Sequence, residues 1–143
     1  MKNFLCILSV LLFFGCKEKQ DTKASSDKMV YDMYEPSEMA ILMNQMYADN
    51  LKIKKEILAG EIPKEFPIDF LKIHTADLSD FKARNEKFKT FSTLFINAEK
   101  EIFNPNANLP IKDRFNNAVG ICISCHQTEC TGPIPRIKKL LIK

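Results

Sequence analysis

The chain has 143 residues, and 21 Lys and Arg residues stand against 18 Asp and Glu residues, so its formal net charge is only +3. It therefore lacks the dense positive charge that binding to a nucleic-acid backbone requires, and no nucleic-acid partner is expected. The length suits one domain with a single core, and the hydrophobic share of 45% is enough to fill it.

Residues 1–15 have the features of a signal peptide. Lys2 precedes an apolar run from Phe4 to Phe14, after which the sequence changes abruptly to charged residues. The run is well short of the roughly 20 residues that a transmembrane helix needs. The pattern therefore predicts export rather than a membrane span.

The residues that follow predict attachment to a membrane. Gly15 and Cys16 resemble the lipobox of bacterial lipoproteins, which implies that Cys16 is lipidated and becomes the new N-terminus. The remainder of residues 16–34 is polar and predicts a flexible tether. We therefore expect residues 35–143 to form a domain in the bacterial cell envelope, on the periplasmic side. The charged residues after Cys16 leave the cell surface as an alternative.

Apolar residues of this domain recur at helical spacing, which predicts an all-α fold. The first helix is expected to begin at "EPSEMA", with Pro36 in the first helical position, and to end at Gly60. One face of this helix is predicted to be buried, and it consists of Met39, Leu42, Met43, Met46, Ile53 and Ile57.

Three further segments follow, and together the four predict a four-helix bundle. "EFPIDFLKIHTADLSDFKARN" predicts a short helix and a loop. The third helix is expected from Asp80 to Phe103, with a buried stripe of Phe81, Phe88, Phe91, Phe95, Ala98 and Ile102. The last helix begins near Ile111 and places on one side Phe115, Ala118, Val119 and Cys122.

The segment "GICISCHQTEC" contains three of the five cysteines and one of the two histidines of the chain. Within it, "CISCH" has the CxxCH pattern of covalent haem c attachment. In that pattern two thiols, here Cys122 and Cys125, each add to a haem vinyl group, and the next residue, His126, binds the iron. Export agrees with this interpretation, because haem c is attached outside the bacterial cytoplasm.

Three other chemistries remain open for this cluster. A zinc site needs a fourth ligand, and the distant candidate is His74. A redox dithiol is usually found beside a βαβ unit, and no strand pattern is visible here. A disulfide between Cys122 and Cys125 would be strained within one helical turn, and it would leave Cys130 without a partner.

An exported four-helix bundle with CxxCH near the end of its last helix resembles the cytochrome c-prime group, including its six-coordinate relatives. Sharp identity is confined to "CISCH", and "LKIKKEILAGEIP" is a weaker likeness, since that family also commonly ends its first helix in Gly-Glu before a proline. The resemblance implies one covalent haem c, with iron bound by His126, and electron transfer with redox partner proteins. No acid, base or nucleophile constellation indicates an enzyme. The alternatives are a five-coordinate haem protein that binds or senses small gases and a lipoprotein that uses the cluster for zinc or thiol chemistry.

In that family the first helix supplies the residue that faces the iron opposite the histidine. The resemblance therefore implies Met43 as a distal ligand, with Met46 and Met39 as alternatives and His74 as a rival. The competing interpretation is that the methionines are flexible core residues, as methionines usually are. If no side chain binds this side of the iron, the iron is five-coordinate.

The residues after His126 depart from the family, whose sequences usually end sooner. Gly132, Pro133 and Pro135 prevent a simple continuation of the last helix, so the chain must turn there. Arg136 is a candidate partner for the haem propionates, because a guanidinium matches the carboxylate fork. Cys130 has no assigned partner. A homodimer is a candidate assembly of the protein.

Overall fold

A computed structural model of the chain describes residues 35–79 and 81–143. The predicted signal peptide, the lipidation of Cys16 and the tether lie outside the described residues. Within the described part the chain forms helices and no strand, which confirms the all-α prediction. None of the helices found there is both long and apolar enough to cross a membrane.

Three long helices dominate the domain, and they are α1 (Glu38–Leu58), α2 (Glu86–Ile102) and α3 (Ile111–Glu129). A 3-10 helix, η1 (Ile68–His74), lies between the first two. After α3 follow the single-turn helix α4 (Ile134–Ile137) and a second 3-10 helix, η2 (Lys138–Leu140).

Helix α1 begins where a side chain replaces a missing backbone partner. The Ser37 hydroxyl accepts a hydrogen bond from the amide of Ala40 at 3.3 Å. Pro36 therefore lies before the cap, and the prediction that it takes the first helical position is wrong. At the other end Gly60 has φ of 80°, a left-handed conformation that glycine adopts without a steric penalty, so the helix stops where the sequence indicates.

Helix α2 begins later than the sequence indicates. The Asn85 side chain accepts a hydrogen bond from the amide of Phe88 at 2.8 Å and caps the helix there. Asp80, the predicted start, lies outside the described residues. Phe81 precedes the helix and is 80% exposed, so its assignment to the buried stripe is wrong. The remaining members of that stripe are at least half-buried.

The middle segment forms the expected short helix and loop. Helix η1 packs against both α1 and α2. Its Phe70 is fully buried and stacks on Phe95 of α2, with 6.0 Å between the ring centroids. This short element thereby fills the space between the two longer helices.

Helices α2 and α3 form the most extensive helix pair, and the core around them has two parts. The first core cluster consists of Met39, Leu42, Met46, Phe70, Ile73, Ala76, Phe88, Phe95 and Ile96. The second core cluster consists of Ile53, Ala98, Ile102, Phe115, Ala118, Val119, Ile137, Leu140 and Ile142. Cys122 packs against both clusters and so lies where they meet.

The C-terminal segment turns after α3 and packs back on the domain. Asn116 of α3 holds it in place: its Nδ2 donates to the carbonyl of Ile142 and its Oδ1 accepts from the amide of Ile142, both at 2.8 Å. From α1, Lys54 donates to the carbonyls of Lys139 and Leu141 at 2.8 Å and 2.9 Å. The segment therefore links α1 to α3.

We expect Asn116→Ala to lower the free energy of unfolding by about 1–3 kcal/mol, because both backbone groups of Ile142 lose their partner. Asn117→Ala is the matched control, since Asn117 is the next residue of the same helix and is exposed. Urea unfolding of the two variants and the unchanged protein measures the difference. Equal stability of the two variants would show that the hydrogen bonds of Asn116 to Ile142 do not stabilise the fold.

Candidate functional site

The three CxxCH residues lie in the last two turns of α3 and share one side of it. Cys122, Cys125 and His126 are spaced i, i+3 and i+4, which places them on one helical face. All three are half-buried, and all three line a single cavity of ≈ 340 Å³. The structure thus brings the thiols and the imidazole to one wall of a partly open cavity.

The orientation of His126 is fixed by the end of its own helix. Nδ1 of His126 lies 2.8 Å from the backbone carbonyl oxygen of Cys130, and the Cys130 amide donates to the His126 carbonyl at 3.2 Å. A carbonyl can only accept, so this contact assigns the ring proton to Nδ1. The Nε2 lone pair is then available to bind a metal ion.

Methionines from α1 form another wall of the same cavity. Met39, Met43 and Met46 are spaced i, i+4 and i+7, and each lines the cavity. Met39 and Met46 are buried, and Met43 is half-buried. The three candidates for a distal ligand and the candidate proximal ligand therefore share one cavity.

Aromatic side chains of α2 complete the apolar lining. Phe88, Phe91 and Phe95 line the cavity, and Phe88 and Phe95 are also buried in the first core cluster. The volume falls within the range of about 300–1,000 Å³ that is usual for ligand pockets. Two thiols, one imidazole and three thioethers thus line one mostly apolar cavity, which suits an apolar ligand that these groups could hold.

Arg136 lies at the rim of the cavity. Its guanidinium lies over the ring of Tyr47, 3.9 Å from the ring centroid, and Nη1 donates to Oδ1 of Asn44 at 2.7 Å. The side chain is exposed and lines the cavity, and the guanidinium has further N–H donors. The structure therefore places a positive charge at the solvent-exposed edge of the cavity.

The thiols do not have the electrostatics of a redox dithiol. Burial raises the pKa of Cys122 well above its usual range, and the Glu99 charge raises it further. Burial, followed by the charge of Glu129, raises the pKa of Cys125 to about 11. Reactive CxxC thiols have lowered pKa values. Cys122, Cys125 and Cys130 are free thiols, and no disulfide joins them.

The second histidine is not part of the cluster. His74 is exposed on η1, and its Nδ1 lies 3.3 Å from the Ser92 hydroxyl. It does not line the cavity, where it would have to lie to act as the rival iron ligand or as the fourth zinc ligand. Across residues 35–79 and 81–143, no three His, Cys, Asp or Glu side chains are grouped to hold a metal ion.

A buried carboxyl near the site was not among the residues predicted from the sequence. Glu99 of α2 is fully buried, and neither of its carboxylate oxygens has a hydrogen-bond partner. Burial raises its pKa to about 8, and the neighbouring Asn50 amide lowers it to a smaller extent. Phe95, Glu99 and Ile102 are spaced i, i+4 and i+7, so the spacing alone could have placed Glu99 in the buried stripe.

No protein-family model, no curated protein and no solved structure matches the chain.

We expect Glu99→Gln to flatten the pH dependence of stability between about pH 4.5 and about pH 8. The unfolded chain releases the Glu99 proton near the lower value and the folded chain near the higher one. The folded state therefore binds more protons in this interval, and the free energy of unfolding falls as the pH rises, by up to about 1.4 kcal/mol per pH unit.

Urea unfolding at a series of pH values measures this slope. Glu101→Gln, at an exposed position of the same helix, serves as the control and should keep the slope of the unchanged protein. If Glu99→Gln also keeps that slope, the carboxyl is not neutral in the folded protein.

Proposed function

We propose that the protein is a mono-haem c-type cytochrome that transfers single electrons between redox partner proteins. The observation that carries the proposal is the shared cavity: Cys122, Cys125 and His126 line it from α3, and the methionine stripe lines it from α1. When bound, haem c supplies a one-electron iron couple in an apolar surrounding. The chain supplies attachment, ligands, and exclusion of water.

Cys122 and Cys125 are the proposed attachment residues. Each thiol would add across one haem vinyl group, with the sulfur bonding one vinyl carbon and the thiol hydrogen going to the other. Cys122 packs against both core clusters, so the attachment edge is held by the most constrained part of α3. The two thioethers fix the position of the cofactor relative to His126.

His126 is the proposed proximal ligand through Nε2. Its Nδ1 donates to the Cys130 carbonyl, which holds the ring plane and makes Nε2 a better electron donor. The Cys130 backbone thereby has a role even though its thiol lies outside the motif.

Met43 is the proposed distal ligand, and Met46 and Met39 are its alternatives on the same wall. A thioether bound opposite histidine raises the reduction potential and suits a carrier that exchanges electrons without binding substrate. The phenylalanines of α2 keep water from the iron, which favours the less charged reduced state.

Arg136 is the proposed partner of a haem propionate, because its exposed guanidinium is anchored on Tyr47 at the cavity rim. The fold proposed for the holoprotein is a four-helix bundle of the cytochrome c-prime type, with α1, η1, α2 and α3 as its four members. The proposed location is the bacterial cell envelope, with the membrane anchor at Cys16 outside the described residues.

The attachment is tested by expression with a haem c maturation system. We expect haem to stay on the polypeptide in a denaturing gel, where it is detected by its peroxidase activity. The Cys122→Ala/Cys125→Ala double variant should lose this signal. Cys130→Ala is the matched control, because Cys130 lies outside the motif and is exposed, and it should keep the signal. A haem-free protein, or equal staining of the double variant, would refute the proposal.

The distal ligand is tested by Met43→Ala. We expect the absorption spectrum to change from low-spin, with the methionine-to-iron band, to high-spin, and the reduced variant to bind carbon monoxide. Met39→Ala and Met46→Ala should retain the low-spin spectrum. If Met43→Ala keeps the spectrum, Met43 is not the ligand. An unchanged protein that is already high-spin and binds carbon monoxide would favour the gas-binding alternative.

A further inference from the structure

Glu99 is a buried carboxyl that electron transfer, as proposed above, does not use. Its side chain is fully enclosed on α2, and both of its oxygens lack a hydrogen-bond partner. Burying an unpartnered carboxylate is costly, so such a group needs an explanation beyond packing. The second core cluster surrounds this turn of α2 with apolar side chains, among them its neighbours Ala98 and Ile102.

The polar neighbour of Glu99 offers an unpaired acceptor to the protonated carboxyl, while its amide lowers the pKa of Glu99 to a smaller extent than burial raises it. Asn50 of α1 is itself buried; its Nδ2 donates to the carbonyl of Met46 at 3.1 Å, and its Oδ1 has no partner. A protonated carboxyl has an O–H that can donate to the Asn50 Oδ1. An ionised carboxylate has no proton to donate to that oxygen. Burial accordingly raises the pKa of Glu99 to about 8, within reach of neutral pH.

Glu99 is also close to the proposed haem attachment. Cys122 of α3 is near enough for the Glu99 charge to raise the pKa of its thiol. In the proposed holoprotein Cys122 is a thioether and no longer titrates. Glu99 also meets Asn50 of α1, which is uncharged and lines the cavity. Within the described part of the chain no cationic side chain offsets its charge. In so apolar a region, a positive charge gained in the adjoining cavity would act on the carboxyl with little screening.

We propose that Glu99 takes up a proton when the haem iron is reduced and releases it when the iron is oxidised. The proposal rests on the function proposed above. A redox partner protein supplies one electron, and one proton from solvent binds one carboxylate oxygen of Glu99, so the site gains no net charge. Oxidation returns the electron to the next partner and the proton to solvent. The oxidised state, with its additional positive charge, favours ionised Glu99, and the reduced state favours neutral Glu99.

The test is the midpoint potential of the holoprotein as a function of pH, measured by spectroelectrochemical titration. We expect the potential to fall as the pH rises across the interval in which Glu99 titrates. The slope approaches about 59 mV per tenfold change in proton concentration, the one-electron limit. Glu99→Gln should abolish this slope, and Glu101→Gln, the exposed control of the same helix, should retain it.

A second measurement decides the matter even if the Glu99 variant folds poorly. The reduced-minus-oxidised infrared difference spectrum of the unchanged holoprotein should show the carbonyl band of a protonated carboxylic acid. Absence of this band overturns the proposal. So does a pH-independent potential in a protein that carries covalent haem, or a slope that survives in Glu99→Gln; in these cases the proposed function stands. A protein without covalent haem overturns both.

Discussion

The site depends on where α3 ends. Helical spacing places Cys122, Cys125 and His126 on one face, but only the stop at Glu129 frees the next carbonyl to accept from the His126 ring. Cys130 is extended, with φ of −161° and ψ of 97°, and the two prolines beyond it keep the helix from continuing. In a longer helix that carbonyl would point along the axis toward a backbone amide, and the imidazole would lose the contact that leaves Nε2 free. The conformation of one residue therefore sets the chemistry of the motif before it.

The rest of the domain shapes the cavity that the C-terminal end of α3 lines. Helix α3 packs mainly on α2, so α1 is free to present its methionines across a gap rather than close against the motif. The C-terminal segment maintains that spacing, because Asn116 holds it to α3 while Lys54 holds it to α1. At the cavity rim, Arg136 of the same segment stacks on Tyr47 and so adds a second contact to α1. The C-terminal segment is thus the part of the domain that joins the two walls of the site.

Local patterns predicted the helices well, because the buried stripes of α1, α2 and α3 follow directly from residue spacing. The errors arose where a side-chain cap competed with the pattern. Asn85 starts α2 after Phe81, and Ser37 starts α1 after Pro36. The motif itself is readable because its residues are neighbours in sequence, whereas the contact of Arg136 with Tyr47 joins distant residues that only packing brings together. Glu99 was not predicted to be buried. Its spacing fits the buried stripe, but a glutamate is normally exposed, and the sequence alone does not decide between the two.

We propose that Cys122 and Cys125 hold a haem and that Cys130 does not. The most direct measurement is peptide mapping of the mature protein after alkylation of free thiols, using the tryptic peptide of residues 115–136, which contains all three cysteines. We expect a peptide that is heavier by one haem, with fragment ions that place the haem on Cys122 and Cys125 and the alkyl group on Cys130. A peptide alkylated at all three cysteines, or a haem bonded to Cys130, would contradict it.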